Sequence, residues 1–277
     1  MIRVLFLLAL AASAFLGFGM GAGLLPSKFI SKSGAKLISG IHPDLEFPLI
    51  ENKSFTIVLV AQNDFDWCER SLRSIFEQDY EHFRLILVDD GSVDGTLERA
   101  RHFITENAQE HRAIVMQNET PCGFGASLHR AASHCLDREI IVPLSARDWM
   151  VGPSVLSHWN RAFQNPDVWI AFGRSIGYPS YEFREPPCFD FKKIEKKGWS
   201  HLPFNSYKSH CFYSALLKQT SPPHLRSNYL LPVLELSGGR VKNVWESVCF
   251  VNETQPSCHS EPPTITESLE PLQALPL

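Results

Sequence analysis

A chain of 277 residues, 44% hydrophobic and 20% charged, has an ordinary globular composition and enough length for one large domain with extensions. Its formal net charge of -4 excludes the broad basic footprint that DNA or RNA would require, so nucleic acid is set aside as a partner. Cys68, Cys122, Cys135, Cys188, Cys211, Cys249 and Cys258 include no Cys-x-x-Cys pair and no zinc-like spacing, which excludes a structural zinc module and reads as buried thiols. A bridge between Cys249 and Cys258 stays open for an oxidising compartment alone.

In chain order, Met1-Ile2-Arg3 leads into an uncharged segment closed by Pro26 and followed by Lys28, Lys32 and Lys36. Its length, near the ~20 residues of a membrane-crossing helix, makes 1–25 an apolar helix and a candidate single-pass anchor. Gly17, Gly19, Gly21 and Gly23 then suit close helix packing within a bilayer. The alternative is a cleaved signal peptide, since Ala9, Ala11, Ala12 and Ala14 supply small residues for a cleavage site, leaving a secreted or periplasmic protein. The lysines beyond the segment slightly outnumber the charge before it, which by the positive-inside tendency keeps the following domain cytoplasmic. Residues 26–53 mix Pro, Gly, Ser and Lys without periodicity and read as a stem. Sequons at Asn52, Asn118 and Asn252 matter only if the domain is luminal.

The domain proper is expected over 54–255. Phe55-Thr56-Ile57-Val58-Leu59-Val60-Ala61 is an apolar strand ending in Gln62-Asn63-Asp64, and Leu85-Ile86-Leu87-Val88 is a second, ending in Asp89-Asp90-Gly91. Between them, apolar residues at Cys68, Leu72, Ile75 and Phe76 give helical spacing over 68–78. A helix from 94 to 106, a strand over 113–116, a helix over 124–135 and a strand over 140–144 follow. This alternation predicts a mostly parallel sheet with helices on both faces, whose ligands bind outside the carboxyl ends of the strands. Beyond Pro153 the prolines at Pro166, Pro179, Pro186, Pro187, Pro203, Pro222 and Pro223 predict short, irregular elements. The segment 256–277 carries five prolines and reads as a disordered tail.

The string Val-Asp-Asp-Gly-Ser-Val-Asp-Gly-Thr over 88–96, with Ser-Ile-Phe-Glu-Gln-Asp-Tyr over 74–80, resembles the donor-binding half of the family 2 glycosyltransferases. The resemblance covers roughly 55–252. It implies a GT-A (Rossmann-like) α/β fold and transfer of a sugar, with inversion, from a nucleotide diphosphate sugar to a glycan or lipid acceptor. The donor-binding candidates at the positions it marks are Ala61, Asn63, Asp89, Asp90 and Asp148, with Arg147 added as a candidate where the chain departs from the family. Asp90-Gly91-Ser92 also reads as a simple turn, and Asp94 as a helix cap.

Such a transfer needs a nucleotide pocket, a positive counter-charge for the diphosphate, and a carboxylate base for the acceptor hydroxyl. In the family the fourth strand ends in a Leu-Asp-Ala-Asp-Asp-like string that holds a divalent metal. Here it reads Leu144-Ser145-Ala146-Arg147-Asp148, so Asp148 alone is left as a metal ligand. One carboxylate beside an arginine makes a poor Mg²⁺ or Mn²⁺ site. Either Arg147 replaces the metal, its guanidinium binding phosphate oxygens, or Arg147 is a solvated surface residue on a chain that has lost activity. The second branch gives the alternative function, a catalytically inactive nucleotide-sugar or glycan binding protein. His129 stands where relatives carry Asn, in Leu128-His129-Arg130. Leu231-Pro232-Val233-Leu234-Glu235-Leu236-Ser237-Gly238 resembles a segment of a bacterial subgroup, as does the acceptor-side stretch 201–209. Glu235 is therefore a candidate base or the polar face of a helix, with Asp190 and Glu246 as weaker candidates.

Overall fold

The apolar run Phe55–Ala61 forms strand β1, and all seven of its residues are buried. It pairs in parallel with β2 (Phe83–Asp89) on one side and β4 (Ile140–Ser145) on the other. A strand with neighbours on both sides and helices on both faces meets no water, so it reads as continuous hydrophobicity and not as alternation. This computed structural model describes residues 50–187, 189, 209–220 and 229–254.

The expected helices form with shorter ends. α1 spans Cys68–Phe76, α2 Thr96–Glu106 and α3 Phe124–Ala132. Asp94 lies outside α2 because Gly95, at φ 88, takes the N-cap position; Asp94 Oδ1 accepts the Thr96 N–H at 3.0 Å as a local turn. β3 is Ala113–Gln117. The later elements are β5 (Trp149–Met150), α4 (Val155–Ala162), β6 (Ile170–Tyr178), β7 (Phe183–Arg184), β8 (His210–Tyr213), α5 (Ser214–Lys218), α6 (Leu230–Ser237) and β9 (Val241–Asn252).

Strand alternation divides the core in two. Ile57, Leu59, Leu85 and Leu87 face Leu72 and Ile75 of α1, Leu97 and Phe103 of α2, and Trp159 of α4. Val58, Val60, Ile86 and Val88 face Leu128 of α3, Leu217 of α5, and Val233 and Leu234 of α6. Helices therefore cover both faces.

The expectation of a mostly parallel sheet needs correction, because the sheet is mixed. Its order is β3-β2-β1-β4-β8-β6-β9-β5, with β7 on β6. Short β8 returns antiparallel between β4 and β6, and β5 and β7 are antiparallel edge pieces. The proline-rich half is also less broken than its sequence implies, since β6 and the 12-residue β9 pair in parallel there. Their register shifts around Gly173 and Arg174, and the bulge leaves Trp245 63% exposed, which disguises the strand period. Gly173 is required at that point: a Cβ would lie 2.9 Å from Trp159 Cη2 and closer still to Val248.

Because β8 runs opposite to both β4 and β6, and β9 runs with β6, strands β1, β2, β3, β4, β6 and β9 all end at one edge. That edge collects the polar loops.

Several expectations fall outside the described residues: the apolar helix at 1–25, the stem up to 49, the tail 256–277, Cys188, Cys258, Asp190 and the stretch 201–208. No helix among the described residues is long and apolar enough to cross a membrane. Cys68, Cys135, Cys211 and Cys249 are buried as expected, whereas Cys122 is exposed in the loop before α3, and burial pushes the Cys68 thiol up to about 11. Of the sequon asparagines, Asn118 and Asn252 are buried and Asn52 is exposed.

Candidate functional site

Register places the key residues side by side at the carboxyl edge: Ala61 opposite Asp89, Val60 opposite Ser145, and Asp89 opposite Gln117. The ladder runs one residue past each strand. Asp90 N–H donates to the Ala61 carbonyl at 2.7 Å, Ala146 N–H to Val60 at 2.9 Å, and Asn118 N–H to Asp89 at 2.8 Å. Ala61 thus contributes a backbone carbonyl already in use, while its methyl is fully buried. Asn63, at φ 55, ties the first loop to the second: its N–H donates to Ser92 Oγ at 3.0 Å, and its Oδ1 accepts the Val93 N–H at 3.0 Å.

Asp89 and Asp90 part to opposite flanks of the sheet. Asp89 follows the parity of Leu85 and Leu87 toward the α1 and α2 side. Its Oδ2 accepts the Ser92 N–H at 3.1 Å, while its Oδ1 is buried with no hydrogen-bond donor among the described residues. A buried acceptor in that condition costs about 1–3 kcal/mol unless a ligand or water satisfies it. Asp90 turns toward α3. Its Oδ1 accepts from Asn118 Nδ2 at 2.7 Å, Cys122 N at 2.9 Å and Ser127 Oγ at 3.2 Å, and its Oδ2 accepts from Gly123 N at 2.8 Å. Burial pushes its carboxyl up, but these hydrogen bonds outweigh burial and hold it below the ordinary carboxylate range. Asp90 is therefore consumed in fastening the loop before α3.

Arg147 is not a solvated residue. It is 7% exposed, and its Nε and Nη2 donate to Asp64 Oδ1 at 3.0 and 2.7 Å, with Asp64 itself 2% exposed. Asp64 Oδ2 accepts the Gln62 N–H at 2.9 Å and the Asp64 N–H donates to Thr96 Oγ1 at 2.8 Å. Burial pushes the Asp64 carboxyl up, against the opposing pull of the Gln62 N–H and the Arg147 guanidinium. Asp64 is the buried partner of Arg147 that sequence reasoning passed over. Its signal was an acid at the end of β1 facing an arginine at the end of β4, legible only once β1 and β4 are known to be neighbours.

Asp148 is 2% exposed, and its Oδ1 accepts the Asn252 N–H at 2.8 Å from the end of β9. Ser71 of α1 donates to the Asp148 carbonyl, which locks the turn from below. No group of three His, Cys, Asp or Glu side chains among the described residues is placed to hold a metal ion. With one carboxylate oxygen engaged by a backbone N–H and a guanidinium next in sequence, the donor set does not fit a hard divalent cation.

Glu235 is not brought to this cluster. Tyr229, at the start of α6, packs on Phe124 and hydrogen-bonds His210 at 2.9 Å, so the helix begins toward the carboxyl edge. It then descends, and Arg240 beyond it accepts the Trp169 N–H where β6 begins. Glu235 lies in the lower half, where burial pushes its carboxyl up.

The turn carrying Asp89 and Asp90 depends on Gly91, at φ 70, where a Cβ would lie 2.8 Å from Pro121 Cδ. Gly91→Ala is expected to cost roughly 1–2 kcal/mol from the left-handed backbone alone, with the Pro121 clash adding to it. Urea unfolding of the variant measures the sum, and an unchanged midpoint would mean the turn is not held as described.

Comparison with known proteins gives the same fold. The Glycosyl transferase family 2 model matches residues 56–220, more than half of the chain. A protein of Bacillus subtilis (strain 168) that carries the name "Putative glycosyltransferase EpsE" is 39% identical over 71 residues, covering 24% of this chain and 25% of EpsE. S. aureus TarS 1-349 in complex with UDP-GlcNAc superimposes with a TM-score of 0.57 at 16% identity, covering 76% of this chain and 62% of TarS 1-349. The mannosyltransferase PcManGT from Pyrobaculum calidifontis, in complex with GDP-Man and Mn²⁺, gives 0.53 at 17% identity, covering 72% of this chain and 57% of the other. At such identities the structural likeness is one of fold. The chain spans a quarter of the length of EpsE and under two thirds of these two structures.

Proposed function

The chain belongs to glycosyl transferase family 2, and from that premise we propose that it transfers a sugar, with inversion, from a nucleotide diphosphate sugar to a glycan or lipid acceptor. The observation that carries this reading is Asp89 Oδ1, a buried carboxylate oxygen without a donor at the carboxyl edge of parallel strands. A nucleoside brings the hydroxyl or N–H that such an acceptor lacks. Asn63, exposed on the adjoining loop, lies on the same side. TarS with UDP-GlcNAc and PcManGT with GDP-Man support a donor of this class.

In the transfer, the acceptor hydroxyl oxygen attacks the anomeric carbon, the bond from that carbon to the diphosphate oxygen breaks, and the hydroxyl proton passes to a base. The leaving diphosphate gains negative charge and needs a cation nearby. PcManGT is in complex with Mn²⁺, but among the described residues of this chain Asp148 has no second carboxylate, His or Cys group placed with it to hold one. We assign the counter-charge to Arg147, with Asp64 fixing the plane of its guanidinium through Nε and Nη2. Asp64 is a positioning residue in this account, and Asp90 holds the neighbouring loop.

Two expected results follow from this arrangement. Asp89→Asn lowers nucleoside diphosphate affinity by roughly tenfold or more, because a hydrogen bond to a charged acceptor is lost. It leaves the melting temperature unchanged or raised, because an unpaired buried charge is removed. Calorimetric titration and thermal melting of the same sample separate these effects, and a variant that binds nucleotide normally would end the assignment of Asp89.

A further inference from the structure

Arg147 carries a single positive charge, and Asp64 already balances it. Both guanidinium bonds to that partner, from Nε at 3.0 Å and Nη2 at 2.7 Å, fall on one oxygen, Asp64 Oδ1. The two side chains are only 8% and 1% exposed. Asp64 is held at its other oxygen too: Oδ2 accepts the Gln62 N–H at 2.9 Å, and the Asp64 N–H donates to Thr96 Oγ1 at 2.8 Å. The pair therefore stays in place when a further charge arrives, and what can change is its protonation.

The groups that face Asp64 from the neighbouring elements are mostly acidic. Asp94, in the loop before α2, lies close enough for its charge to act on the Asp64 carboxyl. It is fixed there, accepting the Phe65 N–H at 3.2 Å and the Thr96 N–H at 3.0 Å. Asp89, at the end of β2, is buried on the same flank of the sheet. From α1, the Cys68 thiol is pushed up to about 11 by burial and stays neutral, and Glu69 is balanced by Arg99 of α2 at 3.1 Å. Among these groups, Arg147 is the cation set against the carboxylates of Asp64, Asp94 and Asp89.

A nucleotide diphosphate sugar adds a doubly ionised pyrophosphate to this cluster. Where Arg147 stands in place of a divalent ion, the second positive charge that such an ion would bring has to come from another source. Resting on the donor reading above, we infer that the donor binds together with a proton: as the pyrophosphate settles against Arg147, Asp64 Oδ2 takes up a proton from solvent. The proton leaves both guanidinium bonds on Oδ1, and it turns a balanced ion pair into a net cation facing the phosphates. Asp64 acts here through Arg147, as a positioning residue that also sets how the site responds to pH.

Burial pushes the Asp64 carboxyl up before any donor arrives, and Asp94 adds to this, against the pull of the Gln62 N–H and Arg147. A pyrophosphate acts in the same direction as Asp94, because a neighbouring like charge disfavours the ionised carboxyl. The Asp64 value is therefore higher with donor than without, and linkage fixes the sign of the pH dependence. Affinity is greatest below the donor-free value, falls as pH rises through the window between the two values, and is level above the donor-bound one. Asp90 does not supply this response, since its hydrogen bonds hold its carboxyl below the ordinary range.

Calorimetric titration of the full chain in EDTA tests this, with UDP-glucose, UDP-N-acetylglucosamine and GDP-mannose as probes, whose pyrophosphates do not titrate near neutral pH. Each is measured in mild acid in phosphate and in Bis-Tris, buffers of small and large ionisation heat, and then from mild acid to mild base. The expected result is that at least one probe binds with uptake of up to about one proton, its affinity rising by up to about tenfold per unit fall in pH. In Asp64→Asn, which has no titrating carboxyl at that position, the uptake is lost and affinity no longer follows pH through this window. The inference is overturned if the heat of binding is the same in both buffers, if protons are released, or if Asp64→Asn takes up as many as the parent. The parent titrations alone decide the first two points, whether or not the variant folds. Binding without proton uptake leaves the donor reading standing, whereas binding of none of the probes at any pH ends both.

Discussion

Arg147→Ala is expected to lose about 3–5 kcal/mol of folding stability, because it strands the Asp64 carboxylate in the interior without its counter-ion. That is a large fraction of the 5–15 kcal/mol typical of a native domain, of order a third or more. The geometry makes the loss hard to evade. Asp64 is 2% exposed, its backbone is tied to Thr96 and its Oδ2 to Gln62, so the carboxylate cannot swing out to water. The pH dependence carries a definite sign. Burial already holds the Asp64 carboxyl above its ordinary value, so the folded state binds a proton more readily than the unfolded chain and gains stability as pH falls through that window. Removing the guanidinium strengthens this bias, so the deficit of Arg147→Ala should shrink in mild acid relative to neutral pH. Removing both charges, as in Asp64→Leu with Arg147→Met, should cost less than Arg147→Ala alone. Denaturant unfolding of the two single variants and the double variant decides this; a double variant less stable than either single would reject the ion pair as the source of the effect. Since Arg147→Ala weakens the fold, its effect on nucleotide binding is interpretable only beside Arg147→Lys, which keeps the charge and loses the planar fork.

Asp90→Ala should cost about 2–4 kcal/mol, since it leaves the N–H groups of Cys122 and Gly123 without their acceptor, while the Asn118 amide keeps Ser127 Oγ. Asp90 differs from Asp64 in the sign of its pH dependence. Its carboxyl lies below the ordinary range because hydrogen bonds to the charged form outweigh burial. Its contribution is therefore complete above the unfolded carboxyl value and is lost as pH falls through the folded one. The parent should lose stability in acid along a limb that Asp90→Asn flattens, and urea midpoints at neutral and acidic pH measure both. An acid limb unchanged in Asp90→Asn would show that another carboxylate produces it.

The contrast between these two aspartates and Asp89 marks where sequence reasoning reached its limit. The βαβ start was legible because buried parallel strands are hydrophobic throughout and α1 keeps its apolar residues on one face. The motif over 88–96 lies at the carboxyl end of β2, on the edge that collects the polar loops. It did not separate Asp89 from Asp90, because adjacent residues leaving a strand face opposite ways and only the placement of α3 shows which one is consumed by structure. Arg147 stood out as a departure, but its partner was out of reach: Asp64 and Arg147 are 83 residues apart, and their meeting depends on β1 lying next to β4. The aromatic cluster around Trp149 was illegible for the same reason, since its rings come from the loop before α1, from β5, and from the ends of β6 and β9. Glu235 shows what a local motif match leaves out, since the direction of its helix relative to the edge is set by the contacts of Tyr229 and Arg240.

The most direct test of the account is a thermal-shift series with UDP, GDP and their sugars, in EDTA and in Mn²⁺, on the parent chain and on Asp89→Asn. A ligand that binds only the folded state raises the melting temperature, and the rise grows with the logarithm of its concentration over its Kd. The account predicts that at least one nucleotide diphosphate sugar raises it, that the rise persists in EDTA, and that Asp89→Asn abolishes most of it. A parent chain whose melting temperature no donor moves, or one that responds only when Mn²⁺ is supplied, would contradict a donor site in which Arg147 stands where relatives place a metal.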